Sequence, residues 1–185
     1  MRIDTLGIKL FPAGYGHIEL AGRVNADNQF IKINPSGNAL TKNTPIPIGL
    51  GSLQITPIGG FYLNAFHDLG SSQGNLLEAL YFGEIETKYF TIYPQLGVEY
   101  LSGKYANHYF GLSSADAAIL GSSSYMARAT TNSIVGAMIE IPLPSNLVLN
   151  LYGKRKYLGS EINNSPVLSQ KHQDIFFMVM AYRFK

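Results

Sequence analysis

Asp174-Ile175-Phe176-Phe177-Met178-Val179-Met180-Ala181-Tyr182-Arg183-Phe184 is the stretch whose reading decides the fold. Taken with a period of two, one face carries Phe176, Met178, Met180, Tyr182 and Phe184. The other carries Ile175, Phe177, Val179, Ala181 and Arg183. A strand with one wholly apolar face is costly in water unless something covers it. In an outer-membrane β-barrel that face meets lipid, and its terminal aromatics sit at the interface. The stretch therefore predicts a membrane strand, with Phe176, Met178, Met180, Tyr182 and Phe184 against hydrocarbon.

Composition agrees. Charged residues are 14% of the 185, against roughly 25% in soluble domains. Tyr, Phe and Gly are abundant, yet the mean hydropathy is only +0.05. Low charge with ordinary hydropathy suits a barrel whose lipid-facing and lumen-facing residues alternate. No window reaches the ~18 unbroken apolar residues of a spanning helix. The net charge of +2 is small and its basic residues are scattered, which gives no support to nucleic-acid binding. Cysteine is absent, so there is no disulfide framework and no thiolate metal site.

Alternating segments recur along the chain, and helical periodicity is nearly absent. Strands are predicted near 3–11, 17–25, 47–56, 61–68, 75–86, 89–101, 130–141, 147–157 and 174–184, with a bulge at Pro94. Short turns (residues 12–16, 57–60, 87–88 and 142–146) alternate with longer loops (26–46, 70–74, 102–129 and 158–173). Bacterial outer-membrane barrels show this asymmetry, with short turns periplasmic. The expected fold is all-β, a single domain over 1–185: an antiparallel up-and-down transmembrane β-barrel with about nine strands in this chain. Because such barrels hold an even number of strands with both termini periplasmic, further strands and a signal peptide are expected before Met1 in a larger barrel.

Alternation separates two sets but does not say which points inward. With the polar set inside, Glu19, Arg23, Glu78, Glu84, Glu99, Glu140, Lys154, Lys156 and Arg183 line or plug the lumen. Two readings of that lining stay open, internal salt-bridge packing of a narrow barrel and a charged constriction that selects solutes. With the apolar set inside, the chain would be a soluble lipocalin-like binder of an apolar ligand.

Catalytic signals are missing. His17, His67, His108 and His172 lie far apart, and no HExxH, CxxC, GxSxG or phosphate-loop pattern occurs. The expectation is a non-enzyme without cofactor or metal. In the loop 102–129, Ser113 can cap a short helix, with Asp116 three residues on and Gly121 at its end.

The run Tyr109-Phe110-Gly111-Leu112-Ser113, with Ala115 and Ala117-Ala118, resembles the YFGVS…A signature of the MipA/OmpV family, the MltA-interacting proteins. Leu158-Gly159-Ser160 with Ser165-Pro166-Val167 resembles its LGD…SPIV loop, and Ala181-Tyr182-Arg183-Phe184 its YRF terminus. Pro94 and Gly74-Asn75-Leu76-Leu77 are also similar. Lys185 departs from the pattern by following the terminal Phe, and the family's first strands have no counterpart here. The resemblance implies an outer-membrane barrel of a Gram-negative bacterium without known catalytic residues. It further implies a scaffold that joins a lytic transglycosylase to a penicillin-binding murein synthase, or else an adhesin or a porin-like channel.

Overall fold

The computed structural model describes residues 5–23, 43–168 and 170–183. The strands are β1 (Thr5–Ala13), β2 (Gly16–Arg23), β3 (Pro47–Thr56), β4 (Gly59–Asp68), β5 (Asn75–Phe82), β6 (Ile85–Glu86), β7 (Thr91–Leu101), β8 (Thr130–Pro142), β9 (Leu147–Tyr157) and β10 (His172–Tyr182). The helices are α1 (Gly103–Phe110), α2 (Ser114–Leu120) and α3 (Ser160–Asn163). All strands belong to one antiparallel sheet in the order β1-β2-β3-β4-β5-β7-β8-β9-β10, with β6 pairing β7 alone. Each strand therefore pairs with its neighbour in sequence, as in an up-and-down barrel. No described helix is long and apolar enough to cross a membrane, whereas nine of the strands run 8–13 residues, the length that crosses one at a tilt.

Two-residue alternation appears as two sharply different surfaces. The outward face of β10 leaves Phe176 78%, Met178 74% and Met180 62% exposed. Leu6 and Ile8 of β1, Leu50 of β3, Leu96 and Val98 of β7 and Leu149 of β9 continue the belt around the sheet. Within this belt no charge intervenes until Arg155 and Asp174, which face each other across β9 and β10 near the loop end and pair at 2.6 Å. The opposite face buries Glu19, Arg23, Glu78, Glu99, Lys154 and Lys156. Phe184 lies outside the described residues, as does most of the loop 26–46.

The chain departs from the sequence reading in three places. The segment 75–86 is two strands, because the ladder breaks at Gly83-Glu84 and resumes as a β6–β7 hairpin projecting from the short-turn end. The bulge expected at Pro94 does not form: β7 keeps one register against β5, β6 and β8, and Pro94 instead sits at the ladder break, where its carbonyl accepts from Gly83 N–H. A register shift does occur in β1, between Lys9 and Phe11. In the β1–β2 turn Gly14 takes φ +58°, a left-handed value that suits glycine.

If lipid covers the belt, Met178→Lys near mid-strand lowers unfolding stability in lipid vesicles by about 2–4 kcal/mol, whereas Tyr157→Lys at the loop end costs at most about 1 kcal/mol. Urea titration of the vesicle-folded chain measures both, and equal small effects would contradict the assignment.

Candidate functional site

The buried face of the sheet is organised by its register. Lys9↔Glu19, Glu19↔Gly51, Gly51↔Asn64, Asn64↔Glu78, Glu78↔Glu99 and Glu99↔Asn132 are successive cross-strand partners, so one polar row runs from β1 to β8. Gly51 is needed within it, since a Cβ there would stand 2.6 Å from Asn64 Oδ1 and 2.9 Å from Glu19 Oε1. Asn64 Nδ2 donates to Glu78 Oε1 at 2.8 Å, and Asn132 Nδ2 donates to Glu99 Oε2 at 2.7 Å.

Glu99 is the centre. It is wholly buried, and Arg23 Nη1 of β2 stands 2.7 Å from its Oε1, while Lys156 Nζ of β9 donates to its Oε2 at 3.2 Å. Arg23 also pairs with Glu78 at 3.3 Å. Four strand steps separate β2 from β7, roughly 19 Å across a flat sheet. No arginine side chain spans that distance, so the sheet must curl around this face and Arg23 must cross its interior. Two cations meet two carboxylates, so the cluster carries no net charge. Such a cluster is tolerable out of water because each charge has an opposite charge within ion-pair distance and Glu99 Oε2 accepts from both Asn132 and Lys156.

Apolar layers flank the charges. On the short-turn side, Tyr62, Leu80 and Ile134 pack together with Leu53 and Phe82. On the loop side, α1 lays Tyr105, Ala106, Tyr109 and Phe110 over Phe66, Leu76 and Leu101, with Leu158, Ile162 and Leu168 closing in from the loop after β9. Ser102 caps α1, accepting from Tyr105 N–H. This cap is tied to the wall through Asp68, whose buried carboxylate accepts from Ile46 N–H at 2.8 Å, Gly70 N–H at 2.9 Å, Tyr109 O–H at 2.8 Å and the Ser72 hydroxyl. Ser113 Oγ accepts from Asp116 N–H at the start of α2, and Gly121 ends that helix in the left-handed region. The Tyr125 hydroxyl donates to the Glu161 carbonyl at 2.8 Å. Burial, with Glu161 alongside, holds its pKa above the usual tyrosine value, so it remains a donor.

The charged residues read from the sequence fall into two groups. Glu19, Arg23, Glu78, Glu99, Lys154 and Lys156 are buried on the inner face. Glu84, Glu140 and Arg183 stand instead at the short-turn mouth. Glu84 lies in the exposed break between β5 and β6 and accepts from Tyr93 O–H at 3.1 Å, while Arg183 pairs with Glu140 at 2.6 Å. The loop-motif residues Tyr109 and Phe110 are core of the cap, and Ser113 and Asp116 serve helix ends. Asp68, Asn64 and Asn132 escaped the sequence reading; the alternation of β4, with Tyr62, Asn64, Phe66 and Asp68 on one face, carried the signal for two of them. Among the described residues no group of three His, Asp or Glu side chains could hold a metal ion.

Glu99→Gln would leave Arg23 and Lys156 buried without that counter-charge. The expected loss is about 3–5 kcal/mol of unfolding free energy. Exposed Glu84→Gln should change it by less than about 0.5 kcal/mol. Denaturant titration of both variants checks the contrast.

The chain is similar to YiaT of Escherichia coli strain K12, with 25% identity over 116 residues, covering 63% of this chain and 47% of that protein. It is also similar to outer membrane protein Omp26La of Vibrio anguillarum, with 26% identity over 119 residues, covering 64% and 46%. The chain thus spans about half the length of the curated relatives it matches. No solved structure matches it. The family described as MltA-interacting protein MipA matches over residues 1–184. With an apolar belt outside, charges inside and relatives that carry outer-membrane names, the chain belongs to the MipA family and is an outer-membrane protein of Gram-negative bacteria.

Proposed function

We propose that this chain is a non-catalytic scaffold of the outer membrane rather than a passive channel, and that it holds a lytic transglycosylase and a penicillin-binding murein synthase at its periplasmic end. The observation that carries the reading is the crossing of the interior by Arg23 to Glu99, with the α1 cap above it and the Tyr62–Leu80–Ile134 layer below. A water-filled pore needs a continuous open path, and the meeting of Arg23, Glu78, Glu99, Asn132 and Lys156 from five strands in the interior supports the closed reading. The neutral balance of the cluster also gives no field for sorting ions by sign. The family's description names an interaction with MltA, and the short turns of an outer-membrane barrel face the compartment where murein enzymes work.

The test has two arms. In planar bilayers the folded chain should stay silent, and immobilised chain should retain a purified lytic transglycosylase of the MltA type. Steady unitary currents would establish the channel reading and overturn the first half of the proposal. Failure to retain the enzyme would overturn the second.

A further inference from the structure

Strands β5 and β6 pair with the same side of β7, yet among the described residues only β5 has a strand on its other side. β4 flanks β5 as far as the pair Gly60↔Phe82 and there gives way to the β3–β4 turn. Gly83 N–H donates to the Pro94 carbonyl and Thr87 N–H to the Phe90 carbonyl, both at 3.0 Å, and Ile85 pairs with Ile92 between them. In an antiparallel ladder of this register the N–H and C=O groups of Glu84 and Glu86 point away from β7. No described residue meets them with a hydrogen bond. An unpaired strand edge is a ready template for another strand.

What lies along that edge selects the strand. A groove of about 730 Å³ is lined by the β3–β4 turn and by β6. Gly59, Gly60 and Gly83 line it, without side chains to hold a second backbone away. Ile55, Ile58 and Ile85 add aliphatic surface, each more than half exposed. Its charged lining is Glu84 and Glu86, and no cation among the described residues pairs with either. Lys88, at the hairpin tip, holds its Nζ over the Tyr89 ring, 5.3 Å from the centre. The two carboxylates share one face of β6, where Glu84 accepts from Tyr93 O–H at 3.1 Å, and Ile85 takes the other face. A strand added here meets acid on one face and aliphatic surface on the other. A second copy of β6 would set glutamate against glutamate, which is destabilising.

We infer that the free edge of β6 receives an extended segment of another polypeptide, in which lysine or arginine alternates with aliphatic residues. Backbone hydrogen bonds to Glu84 and Glu86 hold the segment, and its alternation matches the two faces. The inference deepens the scaffold reading and rests on it for a partner protein at this end.

Fluorescence anisotropy with the chain folded in a non-ionic detergent tests it on three labelled peptides. They are Lys-Val-Lys-Val-Lys, Glu-Val-Glu-Val-Glu, and the basic peptide N-methylated on every backbone amide. Saturable binding of the basic peptide is expected, with at least about tenfold loss for the other two. Glu86→Lys should weaken it by about tenfold or more. Glu86→Pro removes one edge donor but leaves the ladder to β7, whose bonds belong to Gly83, Ile85 and Thr87, and should cost about three- to tenfold. Both variants are checked for heat-modifiable migration on gels. No saturable binding of the basic peptide, equal binding of the acidic or methylated one, or unchanged affinity in both folded variants would overturn the inference. So would a dimer in sedimentation that Glu86→Pro dissolves, because the edge would then belong to a second copy. Retention of the transglycosylase without peptide binding would overturn this inference alone. Peptide binding without retention would overturn the choice of enzyme and keep the edge.

Discussion

Burying one carboxylate inside a curved sheet constrains this whole molecule. Glu99 has no access to water, and an isolated buried carboxylate is among the most costly groups a protein can carry. Its neutralisation requires Arg23 from β2 and Lys156 from β9, the first four strand steps away and the second two. The ion pairs therefore demand curvature and fix which face of every intervening strand points inward. A shift of one residue in any strand would send its polar member to the other surface, so the cluster also pins register. Buried ion pairs are weak sources of stability, but here they reject the inverted arrangement, in which the same charges would meet hydrocarbon.

The outer face supplies the complementary constraint. Phe176, Met178 and Met180 would stand bare in water, and nothing among the described residues covers them. The first confronting charges on β9 and β10, Arg155 and Asp174, occur near the loop end, where a barrel leaves the hydrocarbon. Polar-inside and apolar-outside together exclude the lipocalin-like alternative, which needs Leu149 and Val98 in a sealed core and Glu99 in solvent.

Much of this was legible in the sequence because strand alternation and loop length are local properties. The β10 pattern, the turn positions and the inward set of β2, β5 and β9 each needed fewer than a dozen residues to read. Convergence was not legible: nothing in Arg23 or Lys156 says that both reach Glu99, since that depends on curvature accumulated over several strands. The break at Gly83-Glu84 was hidden because Ile85 continues the two-residue rhythm of β5. Helix α1 escaped because it is eight residues long and opens on Gly103, a poor helix former, so that it depends on the Ser102 cap and on burial of Tyr105, Tyr109 and Phe110.

That last omission explains what the family signature encodes. Its loop segments are scattered in sequence, yet they meet in the cap, whereas Pro94 and Arg183 stand at the short-turn end. Tyr109 reaches Asp68 at the end of β4, Phe110 is buried with its carbonyl accepting from Ser165 Oγ, and Leu158 enters the same core from the loop after β9. Gly74 lies so close to the backbone of Tyr105 that any side chain there would collide with α1. A signature for chemistry would gather nucleophiles, bases or metal ligands. In this chain the loop segments supply packing groups and hydrogen bonds that seat one loop on another and cover the loop end. The α1 cap covers that end, and the middle of the inner face holds the paired charges.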